Sequence, residues 1–251
     1  MDRSLVRRVL GEVWRLFREY PRELLAGGIV VFVPLGLLDA VSGSLFDEVE
    51  EASDLEIAAT VAGAIGAAAL SLLGEVLYAG FVAALVVSER DGEPHPLPEL
   101  VKSLPYGRLI VADLIYVLLV SLGLLLLVVP GLVVLTWFAL VAPAVKLEGL
   151  GVVEALRRSR ALVRPRFWSV FALVVPLALL ADSLADTAFD AAILAIGDSL
   201  LGDWAGSTIA ELITAPFLGL VVVVLFLELR ATSAPRTPRS WRRRSRRETA
   251  P

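Results

Sequence analysis

A nearly continuous apolar run extends from Leu109 to Leu147. As a single α-helix rising ~1.5 Å per residue, this run would be about 58 Å long, nearly twice the ~30 Å hydrocarbon thickness of a bilayer. Pro130 and Gly131 lie in its middle. Proline lacks an amide hydrogen and disturbs the preceding helical turn, and glycine lets the backbone reverse. The run therefore predicts two membrane spans joined by a structural turn at Pro130 and Gly131.

Apolar segments recur along the whole chain. Hydrophobic residues make up 57% of the sequence and the mean hydropathy is +0.77, well above the usual values for a soluble domain. The segments are long enough to cross a bilayer as helices. The sequence predicts an all-α polytopic membrane protein with six transmembrane helices, at about 24–41, 57–88, 108–129, 131–147, 167–195 and 205–229.

The distribution of charge predicts the orientation of these spans. With the N-terminus in the cytoplasm, all 23 lysines and arginines fall in the cytoplasmic segments, which are 1–23, 89–108, 146–166 and 228–251. The two outer segments, 39–56 and 182–211, are rich in acids and hold no lysine or arginine. Because basic residues accumulate on the cytoplasmic side, we expect a multi-pass protein of the plasma (cell) membrane with both termini cytoplasmic. The extended charge of the N-terminus is unlike a cleaved signal peptide.

Short basic amphipathic segments precede three pairs of spans. They lie at about 4–20, 96–105 and 151–164, and each is followed by a break that contains proline or glycine. The pattern predicts three parallel repeats, each an interfacial helix plus two spans, within a membrane domain of residues 1–230.

The first of these segments carries an apolar stripe that includes Leu5, Val9 and Val13, with arginines between them. Apolar residues at this spacing predict an amphipathic helix. We expect this helix to lie in the membrane interface with its stripe toward lipid, in preference to being a soluble surface helix.

Clustered arginines predict contact with anionic lipid head groups. Arg157, Arg158, Arg160 and Arg164 lie on the polar side of one predicted helix. A basic group near an anionic surface contributes ~1 kcal/mol, so these four side chains are candidate head-group contacts. The arginine-rich segment 231–251 predicts a disordered cytoplasmic tail that meets anionic lipid rather than nucleic acid.

Two carboxylates lie inside predicted spans. Glu75, near the centre of the second span, costs ~2.5 kcal/mol or more if it is ionised and faces lipid, so it should face the bundle. Two interpretations remain: a polar or proton-linked site, and an interhelical hydrogen bond in a seam packed with small residues, which we favour. Asp113 lies just beyond Arg108, and we expect a structural ion pair between them rather than a site.

Other chemistry has little support in the sequence. Asp182, Asp186 and Asp190 recur every fourth residue of one predicted helix, and a solvated acidic face is favoured over a Ca²⁺ site. The chain has no cysteine and its only histidine is His95, which excludes thiolate metal sites and cysteine nucleophiles. We therefore expect no enzyme activity, no cofactor and no bound metal.

A stretch in the middle of the chain resembles a known membrane domain. Its residues are Pro130-Gly131, Pro143, Glu148, Glu154-Ala155-Leu156, Arg158-Ser159 and Leu162. They resemble the membrane domain found in some glycerophosphoryl diester phosphodiesterases. This type of domain also occurs as stand-alone prokaryotic membrane proteins. The resemblance implies a six-helix architecture in a lipid-linked setting. The catalytic domain of those phosphodiesterases has no counterpart here, so the resemblance does not imply hydrolysis.

Two functions from different classes are consistent with these features. The first, which the sequence favours, is a non-enzymatic membrane protein that organises lipid or binds partners, with another membrane protein or a second copy of the chain as candidate partners. The second is a transporter or permeation unit that uses a polar seam around Glu75. A polar cavity between the spans would favour transport, and a tightly packed bundle would favour the structural role.

Overall fold

Every regular element that the structure describes is a helix. The structure is a computed structural model, and it describes residues 2–47, 73–90, 92, 96–197 and 199–233. The helices, numbered in chain order, are α1 (Arg3–Glu19), α2 (Pro21–Asp47), α3 (73–90), α4 (Leu97–Lys102), α5 (Tyr106–Leu126), α6 (Val128–Phe138), α7 (Val141–Glu148), α8 (Val152–Val163), α9 (Phe167–Ile196) and α10 (Leu200–Ser233). The predicted all-α class is confirmed for these ranges.

Five helical segments in the described ranges are long and apolar enough to cross a membrane. They are Pro21–Val41, Tyr106–Gly123, Val128–Glu148, Val152–Ile196 and Leu200–Ser233. Each overlaps a predicted span, as expected for a membrane protein. The remaining predicted span, 57–88, is described only from residue 73 onward, and the predicted tail, 231–251, lies outside the described residues except for 231–233, which complete α10. The three-repeat arrangement stays a prediction.

The long apolar run folds back on itself, as predicted. Polar contacts join its two ends: the Lys146 ammonium donates to the Ser103 carbonyl (2.7 Å), and the Arg108 guanidinium donates to the Gly149 carbonyl (3.0 Å). Helix α5 and the α6–α7 segment are therefore the two arms of a hairpin.

The position of the turn differs from the prediction. The chain reverses at Leu127, whose backbone is extended (φ −170°, ψ 147°), and Pro130 and Gly131 lie inside α6. A proline is tolerated in the first turn of a helix, because the first amide groups have no intrahelical acceptor. Gly131 does not reverse the chain but allows α5 and α6 to pack closely. A Cβ on Gly123 of α5 would lie only 2.9 Å from the Gly131 Cα.

Helix α1 packs on the bundle. Its stripe of Leu5, Val9, Val13 and Leu16 is at most 4% exposed, and these side chains belong to the main hydrophobic core. The predicted orientation of the stripe toward lipid is therefore wrong. Helix α10 packs against α1 and contributes apolar surface that the stripe covers.

Two ion pairs add to the attachment of α1. Arg8 pairs with Glu228 of α10 (3.4 Å), and Glu12 pairs with Arg90 at the end of α3 (3.4 Å). The pKa of the Glu12 carboxyl is lowered, chiefly by its hydrogen bond to Arg15. Because surface ion pairs contribute at most ~1 kcal/mol each, the buried stripe supplies most of the attachment.

Candidate functional site, an acidic cavity between the spans

A cavity of about 190 Å³ lies between helices α3, α5, α6, α7, α9 and α10. Four polar side chains line it: Glu75, Asp113, Tyr116 and Asp182. The rest of its lining is apolar, and no lysine, arginine or histidine is among the described residues that form its wall. We call this space the acidic cavity.

Asp113 and Tyr116 reach the acidic cavity from α5, where a spacing of three residues places them on one face. Asp113 is 3% exposed, and its Oδ1 has no hydrogen-bond partner in the part of the chain that the structure describes. The predicted ion pair between Asp113 and Arg108 is wrong, because residues five apart on an α-helix point about 140° away from each other. Arg108 instead bonds to Gly149. Asp113 is thus a buried carboxyl group that lacks a described counter-ion.

Glu75 reaches the acidic cavity from α3. The packing interpretation requires an interhelical hydrogen bond, and Glu75 forms none with the residues that the structure describes. Its carboxyl group lies near Asp182 and Glu211, close enough for the charges to interact. This position favours the alternative interpretation of Glu75 as part of a polar site.

Asp182 joins the cavity from α9. The sequence predicts a solvated face for Asp182, Asp186 and Asp190, and all three residues are exposed. They nevertheless differ in position: Asp182 lines the acidic cavity, Asp186 lines a second cavity, and Asp190 lines neither. The signal that could have found Asp182 is its register with Val174 and Ala178, which share its helix face and also line the acidic cavity.

The second cavity, also about 190 Å³, lies between α2, α9 and α10, and we call it the outer cavity. Its charged lining residues are Asp39, Asp186 and Glu211, and none of its described lining residues is basic. Asp182 and Asp186 are one helical turn apart, about 6 Å along α9, so the two cavities follow each other along this helix. In the described ranges no group of histidine, aspartate or glutamate could hold a metal ion. The carboxylates therefore form a column and not a chelating cluster.

The α6–α7 segment is interrupted beside the acidic cavity. Helix α6 ends at Phe138 and α7 begins at Val141, and both residues line the cavity. The Ser159 hydroxyl of α8 donates to the Trp137 carbonyl (2.7 Å) and accepts from the Leu140 amide (3.2 Å). This hydroxyl satisfies backbone groups at the break. Interrupted helices are tolerated at membrane depth where protein or a cavity surrounds them.

Two of the residues that carry the resemblance join α8 to the end of α7. Arg158 donates to both carboxylate oxygens of Glu148 (2.8 and 2.9 Å), and Arg230 of α10 lies 3.5 Å from the same carboxylate. Bidentate pairs of this kind fix geometry as well as adding energy. Together with Ser159, the pair fastens α8 to the interrupted segment, so these motif residues have a structural role beside the cavity.

Two of the four arginines proposed to contact lipid are engaged by the protein. Arg158 forms the bidentate pair described above, and the Arg160 guanidinium lies over the Trp137 ring, 4.4 Å from its centroid. Arg157 and Arg164 are exposed and form no ion pair within the described ranges. The prediction of lipid contact therefore stays with Arg157 and Arg164.

Comparison with known proteins adds no assignment. No family model, no protein of curated function and no solved structure matches the chain. The two cavities and their carboxylates are therefore the features of the chain that bear on its function.

Proposed function

We propose that the chain is a permeation unit that binds a proton or a small cation in the acidic cavity and passes it across the membrane. The observation that carries this proposal is the convergence of Glu75, Asp113 and Asp182, from three different helices, on one space with apolar walls. Of the two functions consistent with the sequence, this convergence favours the transporter over the membrane organiser.

The electrostatics of the cavity support the binding of positive charge. An ionised carboxylate in an apolar environment is costly unless a positive charge compensates it. Asp113 is 3% exposed and has no described partner, and the cavity wall contains no basic residue in the described ranges. A proton or a bound cation would supply the compensating charge. A volume of about 190 Å³ leaves room for several waters or a small organic ion.

The column of carboxylates suggests a route. The outer cavity, with Asp39, Asp186 and Glu211, follows the acidic cavity toward the ends of α2 and α9. From the charge distribution of the sequence we expect these ends on the outer side of the membrane, with both termini in the cytoplasm. A cation would thus pass from the acidic outer surface to Asp182, and then to Glu75 and Asp113. We propose that the interrupted α6–α7 segment forms part of the binding site, since discontinuous helices typically form the substrate and ion sites of transporters.

A second candidate function has its own observation. Arg157, Arg164 and the 70% exposed Trp168 lie close together in sequence around the start of α9. Basic and aromatic side chains at this position suit an anionic lipid surface. Lipid binding of this kind agrees with the lipid-linked setting that the family resemblance implies, and it is compatible with permeation by the same chain.

Proton movement in proteoliposomes tests the main proposal. The purified protein is reconstituted with a pH-sensitive dye inside the vesicles, and a potassium diffusion potential, negative inside, is applied with valinomycin. We expect the wild-type protein to acidify the lumen several-fold faster than protein-free vesicles. The double variant Glu75→Gln/Asp113→Asn should lose this activity, because it removes two of the three charges that line the acidic cavity.

A matched variant controls for the loss of negative charge as such. Asp190→Asn removes a carboxylate from α9 that lines neither cavity, and it should leave the proton flux unchanged. Equal fluxes for the wild-type protein and the double variant would overturn the proposal. Thermal unfolding in detergent establishes that each variant is folded.

A further inference from the structure

A third space lies beside the acidic cavity along the α9–α10 pair. It is an apolar groove of about 290 Å³ between α1, α9 and α10. Four of its lining side chains are about half exposed or more: Trp14 (52%), Leu180 (67%), Leu184 (50%) and Ile213 (49%). Because α9 and α10 are membrane spans by length and composition, the groove opens toward the bilayer.

The groove and the acidic cavity share one wall residue, Leu218 of α10. On α9 the two spaces are lined by adjacent positions: Leu177 and Ala181 line the groove, and the residues that follow them, Ala178 and Asp182, line the acidic cavity. The Leu218 side chain and one edge of α9 therefore separate the groove from the carboxylates, and we call them the partition.

From this juxtaposition we propose that the acidic cavity accepts organic cations with a large apolar part, which enter sideways from the bilayer through the groove and past Leu218. This inference rests on the proposed function and adds its substrate class. The apolar groove suits the apolar part of such a molecule, and Glu75, Asp113 and Asp182 supply the negative charge for its cationic part. A lipophilic cation also concentrates in the bilayer, next to the mouth of the groove.

A bulk phospholipid would account for only one of the two spaces. An acyl chain of a bulk phospholipid would fill the apolar groove but would have no use for the carboxylates behind Leu218. An organic cation uses both spaces. It explains why an exposed apolar groove lies on one side of Leu218, and on the other side the buried Asp113, whose Oδ1 has no partner among the residues that the structure describes. Charge and apolar contact together then determine binding.

Octyltrimethylammonium has a small cationic head and a separate apolar chain, and its binding to the purified full chain, measured by equilibrium dialysis, tests the inference. We expect saturable binding that weakens as the pH falls, since protons compete for the same carboxylates. Leu218→Trp, which fills the partition, should weaken binding by about tenfold or more, equivalent to about 1.4 kcal/mol. Leu218→Ala, which opens the partition, should speed association. Leu118→Trp makes the same side-chain change at a 66% exposed position of α5, and binding should not change.

The outcomes separate this inference from the proposed function. Proton flux that depends on Glu75 and Asp113, together with no saturable binding of octyltrimethylammonium, would overturn the sideways route and leave the proposed function standing. Binding that is equal in the wild-type protein, Leu218→Trp and Glu75→Gln/Asp113→Asn would also overturn it, because such binding would be adsorption to apolar surface. If Leu218→Trp does not fold, Leu218→Phe replaces it with the same expected direction.

Discussion

The Lys146 ammonium of α7 donates hydrogen bonds to both the backbone carbonyl and the hydroxyl of Ser103, at 2.7 and 2.8 Å. The Ser103 hydroxyl in turn donates to the Leu100 carbonyl (2.7 Å), so the loop before α5 is fixed to the end of α7. The two ends of the apolar hairpin therefore meet at one place, and a membrane that contains the hairpin must have both ends on the same side.

This relationship predicts the labelling of introduced cysteines. The chain has no cysteine, so Ser103→Cys and Ser199→Cys can each be made alone. An impermeant thiol reagent added to whole cells should label position 199 and leave position 103 unlabelled until the cells are permeabilised. Ser159 is unsuitable as a probe because it is fully buried. Labelling of position 103 in intact cells would contradict the cytoplasmic assignment of this end of the hairpin.

The glycine contact between α5 and α6 predicts opposite effects for two similar substitutions. Gly123→Ala places a Cβ 2.9 Å from the Gly131 Cα, so the helices must separate and the free energy of unfolding should fall by about 1–3 kcal/mol. Gly107→Ala, on the same helix, meets nothing within 4 Å and should be neutral or stabilise by up to about 1 kcal/mol. Thermal unfolding in detergent measures both changes, and equal effects would show that the close approach is absent.

Ser159 predicts a stability effect specific to the interrupted helix. Ser159→Ala leaves the Trp137 carbonyl and the Leu140 amide without their hydroxyl partner, which should cost about 1–3 kcal/mol. Ser183→Ala provides the control, because that exposed hydroxyl donates only to the Leu179 carbonyl of its own helix. Its effect should be below about 0.5 kcal/mol. A neutral Ser159→Ala would mean that the break is satisfied in another way.

The arginines in α8 and directly after it should have different effects: some should affect lipid binding, and Arg158 should affect stability. Arg157→Gln/Arg164→Gln removes two exposed charges worth ~1 kcal/mol each near an anionic surface, so co-purifying anionic lipid should decrease while the melting temperature stays constant. Arg158→Gln breaks the bidentate pair with Glu148 and should lower the melting temperature instead. Quantitative lipid mass spectrometry and thermal unfolding give the two readouts. Loss of lipid from Arg158→Gln alone would reverse the assignment.

The sequence predicts the helices well and their faces less well. Apolar length and the Pro130-Gly131 break are local signals, and they suffice for the spans and for the hairpin. The turn itself is at Leu127, because Pro130 is compatible with the first turn of a helix and the glycine is needed for contact with α5. For α1 the stripe of apolar residues is read correctly, but an amphipathic pattern alone does not distinguish lipid from protein as the covering surface.

The site is predictable only in pieces. Glu75 and Asp113 stand out because a carboxyl group inside an apolar span is costly, whichever way it faces. Their convergence with Asp182 depends on the arrangement of three helices, which no local pattern contains. The spacing of Asp182, Asp186 and Asp190 predicts one solvated face. Only the tertiary structure shows that Asp182 and Asp186 line different cavities and that Asp190 lines neither.

Thiol chemistry inside the acidic cavity measures whether water reaches the cavity and whether the cavity selects positive charge. Ala178→Cys places a single thiol on the lining of the cavity. We measure the rate at which a cationic methanethiosulfonate reagent modifies this thiol and divide it by the rate for an anionic reagent of similar size. This ratio should be about tenfold or more higher than in the background of Glu75→Gln/Asp113→Asn, because carboxylates raise the local concentration of cations. The same ratio of rates in both backgrounds would show that the carboxylates do not select positive charge. No modification by either reagent would show that water does not reach the cavity.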